Sequence, residues 1–424
     1  MSIPKNRMLT YSFAVATIGL FFFIFGFITW INGVLIPFLR ITCELNESQS
    51  YFVTFAFYIS YTVISLPCVY ILKKTGMING MRLGLLIMAL GSLTFIPAAS
   101  ERSFIIFLAG LFATGAGLTI LQVAVNPYVT LLGPQESAAK RISIMGLCNK
   151  FAGVIAPLII GSILLKKSNV VGIEGLNSLP VLEKNHRLDT LGQSIVGPYL
   201  IIAIILAVLC VLLKYAKLPD IKLPGDAGSA SVGRYWKQIL AGSFAIFCSV
   251  GVEVISGDTI SNYGIYHGLS LSTAKNLTSV TLVAMLIGYL TGVVCIPRYF
   301  SQERAFLVCS IAGLLISFLV ILVPGKLSII FLALSGVANS MLWPAIWPRA
   351  LNGLNNAQVN KVSAILIMGI AGGAILPLAY GYLAEIIGNR YAYIALIPCY
   401  LFNLLYAIVP YQNTDISRYS PIAE

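Results

Sequence analysis

FATGAGLTILQVAVNPYVTLLGPQESAAKRISIMGLCNKFAGVIAPLIIG, residues 112–161, decides how the chain is read. Two apolar segments rich in Gly and Ala carry Gln122, Asn126, Asn149 and Lys150. Hydrocarbon rejects such side chains unless protein or water satisfies them. The pair therefore predicts a polar path through a membrane protein, with the remaining apolar segments as its walls.

Composition supports this. At 424 residues, 58% hydrophobic and 10% charged, with mean hydropathy +0.90, the chain has more apolar surface than a soluble core can hide. The net charge of +12 would suggest nucleic acid in a soluble protein, but the basic residues sit in short loops between apolar runs, where they orient a protein in a bilayer. No nucleic-acid partner is expected. The first run, 12–39, follows Lys5 and Arg7, is too long for a signal-peptide core and ends in no small-residue cleavage site, so it reads as a retained helix. Of eight cysteines only Cys43 clearly falls in a loop, which argues against a disulfide framework or a thiolate metal site. His186 and His267 are the only histidines, and HExxH, GxxxxGK[ST] and GxSxG are all lacking. Zinc chemistry, ATP hydrolysis and a hydrolase elbow thus have no support, and no metal or cofactor is expected. With no acid, base and nucleophile set, the chain does not read as an enzyme. A non-transporting membrane sensor is the alternative from another class, and the lack of a soluble output domain counts against it.

A span needs about 20 apolar residues. Twelve runs qualify: 12–39, 49–72, 81–98, 103–132, 141–166, 195–214, 238–267, 272–297, 304–323, 326–350, 361–387 and 391–411. With the N-terminus inside, the cytoplasmic segments hold about twice as many Lys and Arg as the external ones, which predicts both termini in the cytoplasm. The connection from Tyr215 to Trp236, rich in Lys, Pro, Gly and Ser, divides the spans six and six. The predicted fold is an all-α membrane protein of two six-helix bundles, 1–214 and 238–424, joined by a cytoplasmic linker over 215–237. Residues 167–194 read as a polar external loop, either covering the outer mouth or simply solvated.

The halves repeat. Leu121, Ala124 and Pro127 match Leu342, Ala345 and Pro348, and Gly153, Ile155, Pro157, Leu158 and Gly161 match Gly373, Ile375, Pro377, Leu378 and Gly381 at nearly the same offset. Apolar segments match Leu with Leu by chance; matched Gly and Pro are a stricter signal and point to a duplicated six-helix unit.

Five stretches carry a resemblance: NGVLIP (32–37), LQVAVNPYVTLLGPQES (121–137), VGVEVISGDTISNY (250–263), NSMLWPAIW (339–347) and GGAILPLAYGYLA (372–384). In this order they resemble the fucose-proton symporter family of the major facilitator superfamily, nearest its glucose/galactose transporter branch. The resemblance implies a monomeric, multi-pass sugar transporter of a bacterial inner membrane, with substrate held between the bundles and moved by alternating access. It also implies a sugar-binding role for Asn149, and Gln122 stands at the branch-specific position. Fucose transporters of this kind carry an Asp after the first-helix Asn and a Glu in the fourth-helix motif, both linked to proton coupling. Here those positions are Gly33 and Gln122. Gln fits the branch but Gly33 departs from it, so coupling to a proton or sodium ion runs through other residues or is lacking.

Three charges fall inside apolar runs. Lys150 lies about 15 Å into the fifth helix, and Glu253 and Asp258 about 22 and 30 Å into the seventh. A lone charge at mid-bilayer costs at least about 2.5–3.5 kcal/mol, so Lys150 and Glu253 form the obvious pair. Lys150 could be a built-in cation replacing a bound ion, which gives a facilitator or leaves coupling to Glu253 or Asp258. It could instead recruit an anionic or amino sugar, or only pack in a structural ion pair. Neutral sugars need amides for their hydroxyls and rings for their C–H faces. Asn32, Gln122, Asn126, Asn149, Asn262 and Asn339 supply amides, with Gln122 and Asn149 foremost; Asn126 and Asn339 serve equally well as bonds between helices. Trp30, Trp343 and Trp347 supply rings; Trp343 and Trp347, four apart on one face, suit a cavity wall better than Trp30, which could instead be an interfacial anchor. The substrate expected is a small neutral hexose such as glucose or galactose.

Overall fold

The computed structural model describes residues 5–131, 138–166, 179–215, 233–296, 299, 301–354 and 356–409. Most of the expected linker, the end of the fourth-helix motif (132–137) and the front of the expected loop (167–178) lie outside the described residues.

Among the described residues, twelve helices are long and apolar enough to cross a membrane. They are α1 (Phe13–Thr42), α2 (Phe52–Thr75), α3 (Met77–Ser100), α4 (Phe104–Asn126), α5 (Ile144–Leu164) and α6 (Val181–Tyr215), then α7 (Trp236–Asp258), α8 (Leu271–Cys295), α9 (Gln302–Leu322), α10 (Lys326–Leu351), α11 (Val362–Ile387) and α12 (Tyr391–Ile408). Each coincides with one predicted apolar run. In hydrocarbon a backbone must satisfy its own hydrogen bonds, which a helix does within one segment. An even number of spans puts the start of α1 and the end of α12 on one side, here the terminal side; the other is the far side.

The helices form two six-helix bundles with the same internal pairing. In the first, α1 packs on α5, α2 and α3 on α4, and α3 on α6; in the second, α7 packs on α11, α8 and α9 on α10, and α9 on α12. Glycine permits the closest approaches. A Cβ on Gly26 would lie 1.9 Å from the Asn149 carbonyl oxygen, and one on Gly372 would lie 1.8 Å from that of Phe247. The equivalent contacts α1–α5 and α7–α11 are thus backbone against backbone.

The first helix of each bundle is interrupted toward the far side. The α1 span breaks at Ile31, and α7 ends at Asp258 before the chain resumes as a short helix, Ile260–Tyr266. The single predicted run 238–267 is therefore two pieces. Helix α10 is also broken, at Ser340 and Met341, and α11 passes through a 3-10 turn at Gly369–Ala371.

The expected loop is corrected over 181–193, which forms a helix at the front of α6. Leu188 and Leu191 turn inward while the charges are taken up locally: Arg102 Nε lies 2.9 Å from Asp189 and Lys184 Nζ 2.5 Å from Glu44. Its polar sequence hides a helix that caps the far end of the first bundle, against α1 and α3, and not the mouth between bundles.

Candidate functional site

The two bundles meet along three seams: α2 with α11, α5 with α8, and α1 with α7. In the first, aromatic rings of one bundle rest on glycines of the other. A Cβ on Gly381 would fall 2.2 Å from Tyr51 Cδ2, and one on Gly373 would fall 3.0 Å from the Tyr58 ring. Below them Thr62 Oγ1 donates to the Met368 carbonyl at 3.2 Å. In the second seam Ser279 Oγ donates to the Val154 carbonyl at 2.8 Å and Lys275 Nζ to that of Gly161 at 3.4 Å. The bundles are closed against each other on the far side.

A polar layer seals that side. Glu47, just before α2, is buried, pairs with Arg40 and accepts from the Tyr51 hydroxyl at 3.2 Å. Asn262 Nδ2 reaches the Tyr51 oxygen at 3.5 Å, and the Ser48 amide donates to Glu385 at 2.9 Å, so both bonds cross between bundles. Tyr393 continues the layer, sharing a 2.8 Å hydrogen bond with Thr259. Burial pushes the Glu47 carboxyl above its ordinary value, outweighing the opposing pull of Arg40 and Tyr51.

Nearer the middle, Lys150 of α5 pairs with Glu253 of α7, an ion pair between bundles. Lys150 is 7% exposed, and its ammonium lies 5.2 Å from the Trp30 ring centroid and 5.9 Å from that of Tyr289. Both rings present a π face to the cation. Trp30 is no interfacial anchor: it is buried between Gly153 of α5 and Gly257 of α7, where an added Cβ on either glycine would come within 2.4 Å of its ring.

Gln122 and Asn149 are half-buried, and among the described residues each is tethered by one donated bond. Gln122 Nε2 donates to the Tyr61 hydroxyl at 3.1 Å, and Asn149 Nδ2 to the Phe22 carbonyl at 3.3 Å. Their amide oxygens stay available to accept. Asn126 is half-buried on the same helix as Gln122. Trp343 and Trp347 are half-buried and stacked, centroids 5.3 Å apart. The other amides lie elsewhere. Asn339 is buried inside the second bundle and accepts from Tyr400 at 2.6 Å. Asn32 turns into the first bundle, where with Ser92 and Thr114 it lines a small cavity. Asn262 belongs to the far-side seal. Asp258 is fully buried beside Gly33 of α1.

Sequence reasoning missed the seal. The seven-residue spacing of Tyr51 and Tyr58 puts both on one helical face, a readable sign of a packed seam; nothing local marks Gly381 and Gly373 as its other side.

The sequence profile described as Major Facilitator Superfamily matches residues 18–368. A glucose/galactose transporter of Brucella abortus is 32% identical, over 96% of this chain and 98% of its own. The L-fucose-proton symporter of Escherichia coli is 26% identical, over 92% and 91%. The crystal structure of the major facilitator transporter FucP in its outward conformation superposes with a TM-score of 0.74 at 26% identity, covering 94% of this chain and 98% of that one. Twelve spans in two equivalently paired bundles, with polar groups gathered where the bundles meet, agree with these likenesses, and the chain belongs to the major facilitator superfamily.

Proposed function

We propose that the protein carries a small neutral hexose, such as glucose or galactose, across the bacterial inner membrane by alternating access, with both termini in the cytoplasm. The terminal side is then the inside and the far side the outside, as the Lys and Arg bias supports. The observation that carries the substrate reading is the pair of tethered, half-buried amides Gln122 and Asn149 on neighbouring helices, each offering an oxygen to a sugar hydroxyl. Relatives named for glucose and galactose, at full-length coverage, point the same way. Trp343 and Trp347 give a stacked aromatic face suited to the C–H side of a sugar ring.

An anionic sugar read by Lys150 is the weaker reading, because that ammonium already faces Glu253 and two rings. Lys150 serves instead as a fixed cation that ties the bundles together across the path.

Uptake of labelled glucose and galactose into proteoliposomes tests this. Saturable uptake of either sugar is expected, with Q122A and N149A each raising the half-saturating concentration roughly 2- to 12-fold, the worth of one hydrogen bond of about 0.5–1.5 kcal/mol. Uptake unaltered in both variants would remove these amides from the site.

A further inference from the structure

Lys150 and Glu253 neutralise each other; Asp258 has no such partner. It is 0% exposed, and among the described residues neither carboxyl oxygen has a hydrogen bond nor does any Lys or Arg pair with it. Its place is made by a glycine of the other bundle. A Cβ on Gly33 would lie 3.2 Å from Asp258 Oδ1 and only 2.5 Å from Thr278 Oγ1, so any other residue at 33 would crowd the carboxyl. The titratable groups within electrostatic reach are Glu253, lower on α7, and the Tyr58 hydroxyl on α2. Helix α8 presents Thr278, whose hydroxyl donates to the Gly257 carbonyl at 2.8 Å and sits 3.3 Å from Ser261 Oγ.

The contact therefore joins α1 of one bundle to α7 of the other, and it forms only when the outer side closes. Closing over an ionised carboxylate that has lost its water and gained no donor costs several kcal/mol. Closing over the neutral acid costs far less. When the bundles part on the outside, the same carboxyl meets the outer solution.

Resting on the transport reading above, we propose that Asp258 is the proton-carrying residue of this transporter, loaded from outside and buried against Gly33 as the outer side closes. The step is a protonation, carboxylate plus proton giving carboxylic acid, with no electron transfer. The proton leaves inward past Glu253, five residues and about 7.5 Å nearer the inside on the same helix.

The test compares wild type with D258N, whose amide keeps the shape and cannot ionise, in proteoliposomes with labelled glucose and galactose. With the outside one pH unit more acid, wild type should accumulate sugar toward a ceiling of about tenfold, set for one proton per sugar by the free energy of a pH unit. D258N should lose the accumulation, and whatever exchange it shows should stop at equal sugar concentrations on the two sides. Accumulation by D258N equal to wild type would overturn the assignment, as would wild type that exchanges sugar yet ignores the proton gradient. If wild type moves neither sugar, the substrate reading has failed, and an infrared titration of the detergent-solubilised protein, which needs no sugar, decides the proton site alone. It decides likewise if D258N shows no exchange. A carboxylic-acid C=O band present in wild type and missing from D258N supports the assignment; the same band in both overturns it. Should D258N not fold, D258S, which fills less space, takes its place in each comparison.

Discussion

Lys150 shows how one residue can tie two bundles together. Its ammonium links α5 to α7 through Glu253 and rests between two aromatic rings. Removing it alone leaves Glu253 as an uncompensated charge, so K150M should destabilise the protein by about 3–5 kcal/mol. Thermal unfolding in detergent measures this, and K150M/E253Q should recover most of the loss. A double variant no better than the worse single one would show that the two side chains do not act as a pair. That Lys150 needs a carboxylate follows from the sequence, since a bare cation at that depth is too costly. The sequence offers two acids on α7, five residues apart, and only the packing distinguishes the one that faces Lys150 from the one that faces Gly33. Helical phase within one segment is readable; the rotation of that segment against its neighbours is not.

At the scale of elements, the α2–α11 seam is a row of rings seated on glycines. A methyl group at 381 would collide with the Tyr51 ring at 2.2 Å, and that ring is pinned by Glu47 and Asn262. G381A should therefore disfavour the closed seal by about 1–3 kcal/mol, the usual cost of overpacking. That moves the closed-to-open ratio roughly 5- to 150-fold. Distances between spin labels on S48C and I386C, measured in a background without reactive cysteines, should lengthen in G381A; an unchanged distribution would show that the seam yields elsewhere. The twelve spans were legible because apolar length is a property of each segment alone. The front of α6 was not, because Glu183, Lys184, Arg187 and Asp189 make it polar on average, and its two inward leucines carry too little signal. The break at Thr259 was equally hidden, since the apolar run continues through it.

For the molecule as a whole, the seal should make the balance between forms open and closed on the far side depend on pH. Burial raises the Glu47 carboxyl in the closed form, and parting of the bundles, which lets water reach it, should relieve that penalty. The closed form thus holds this proton more tightly. Its contribution to closure is present at acid pH and is lost as pH rises through the raised value. Asp258 adds a dependence of the same sign, so the two are separated by variants. In D258N the spin-label distance between 48 and 386 should still lengthen as pH rises, and in D258N/E47Q that dependence should vanish. A dependence that persists in the double variant would place the sensing group elsewhere. The two-bundle plan was legible from matched Gly and Pro at one offset, which duplication preserves; the seal was not, because its polar groups Glu47, Tyr51, Asn262 and Tyr393 lie outside the matched positions.

The breaks in α1 and α7 face one another across the boundary between the halves, with Gly33 just past one and Asp258 just before the other. Two chain positions more than two hundred residues apart thereby address a single point in space. A chemical group needed at that point can be supplied by either half of the chain, and here the second half supplies a carboxyl, Asp258, where the first has only the hydrogen of Gly33.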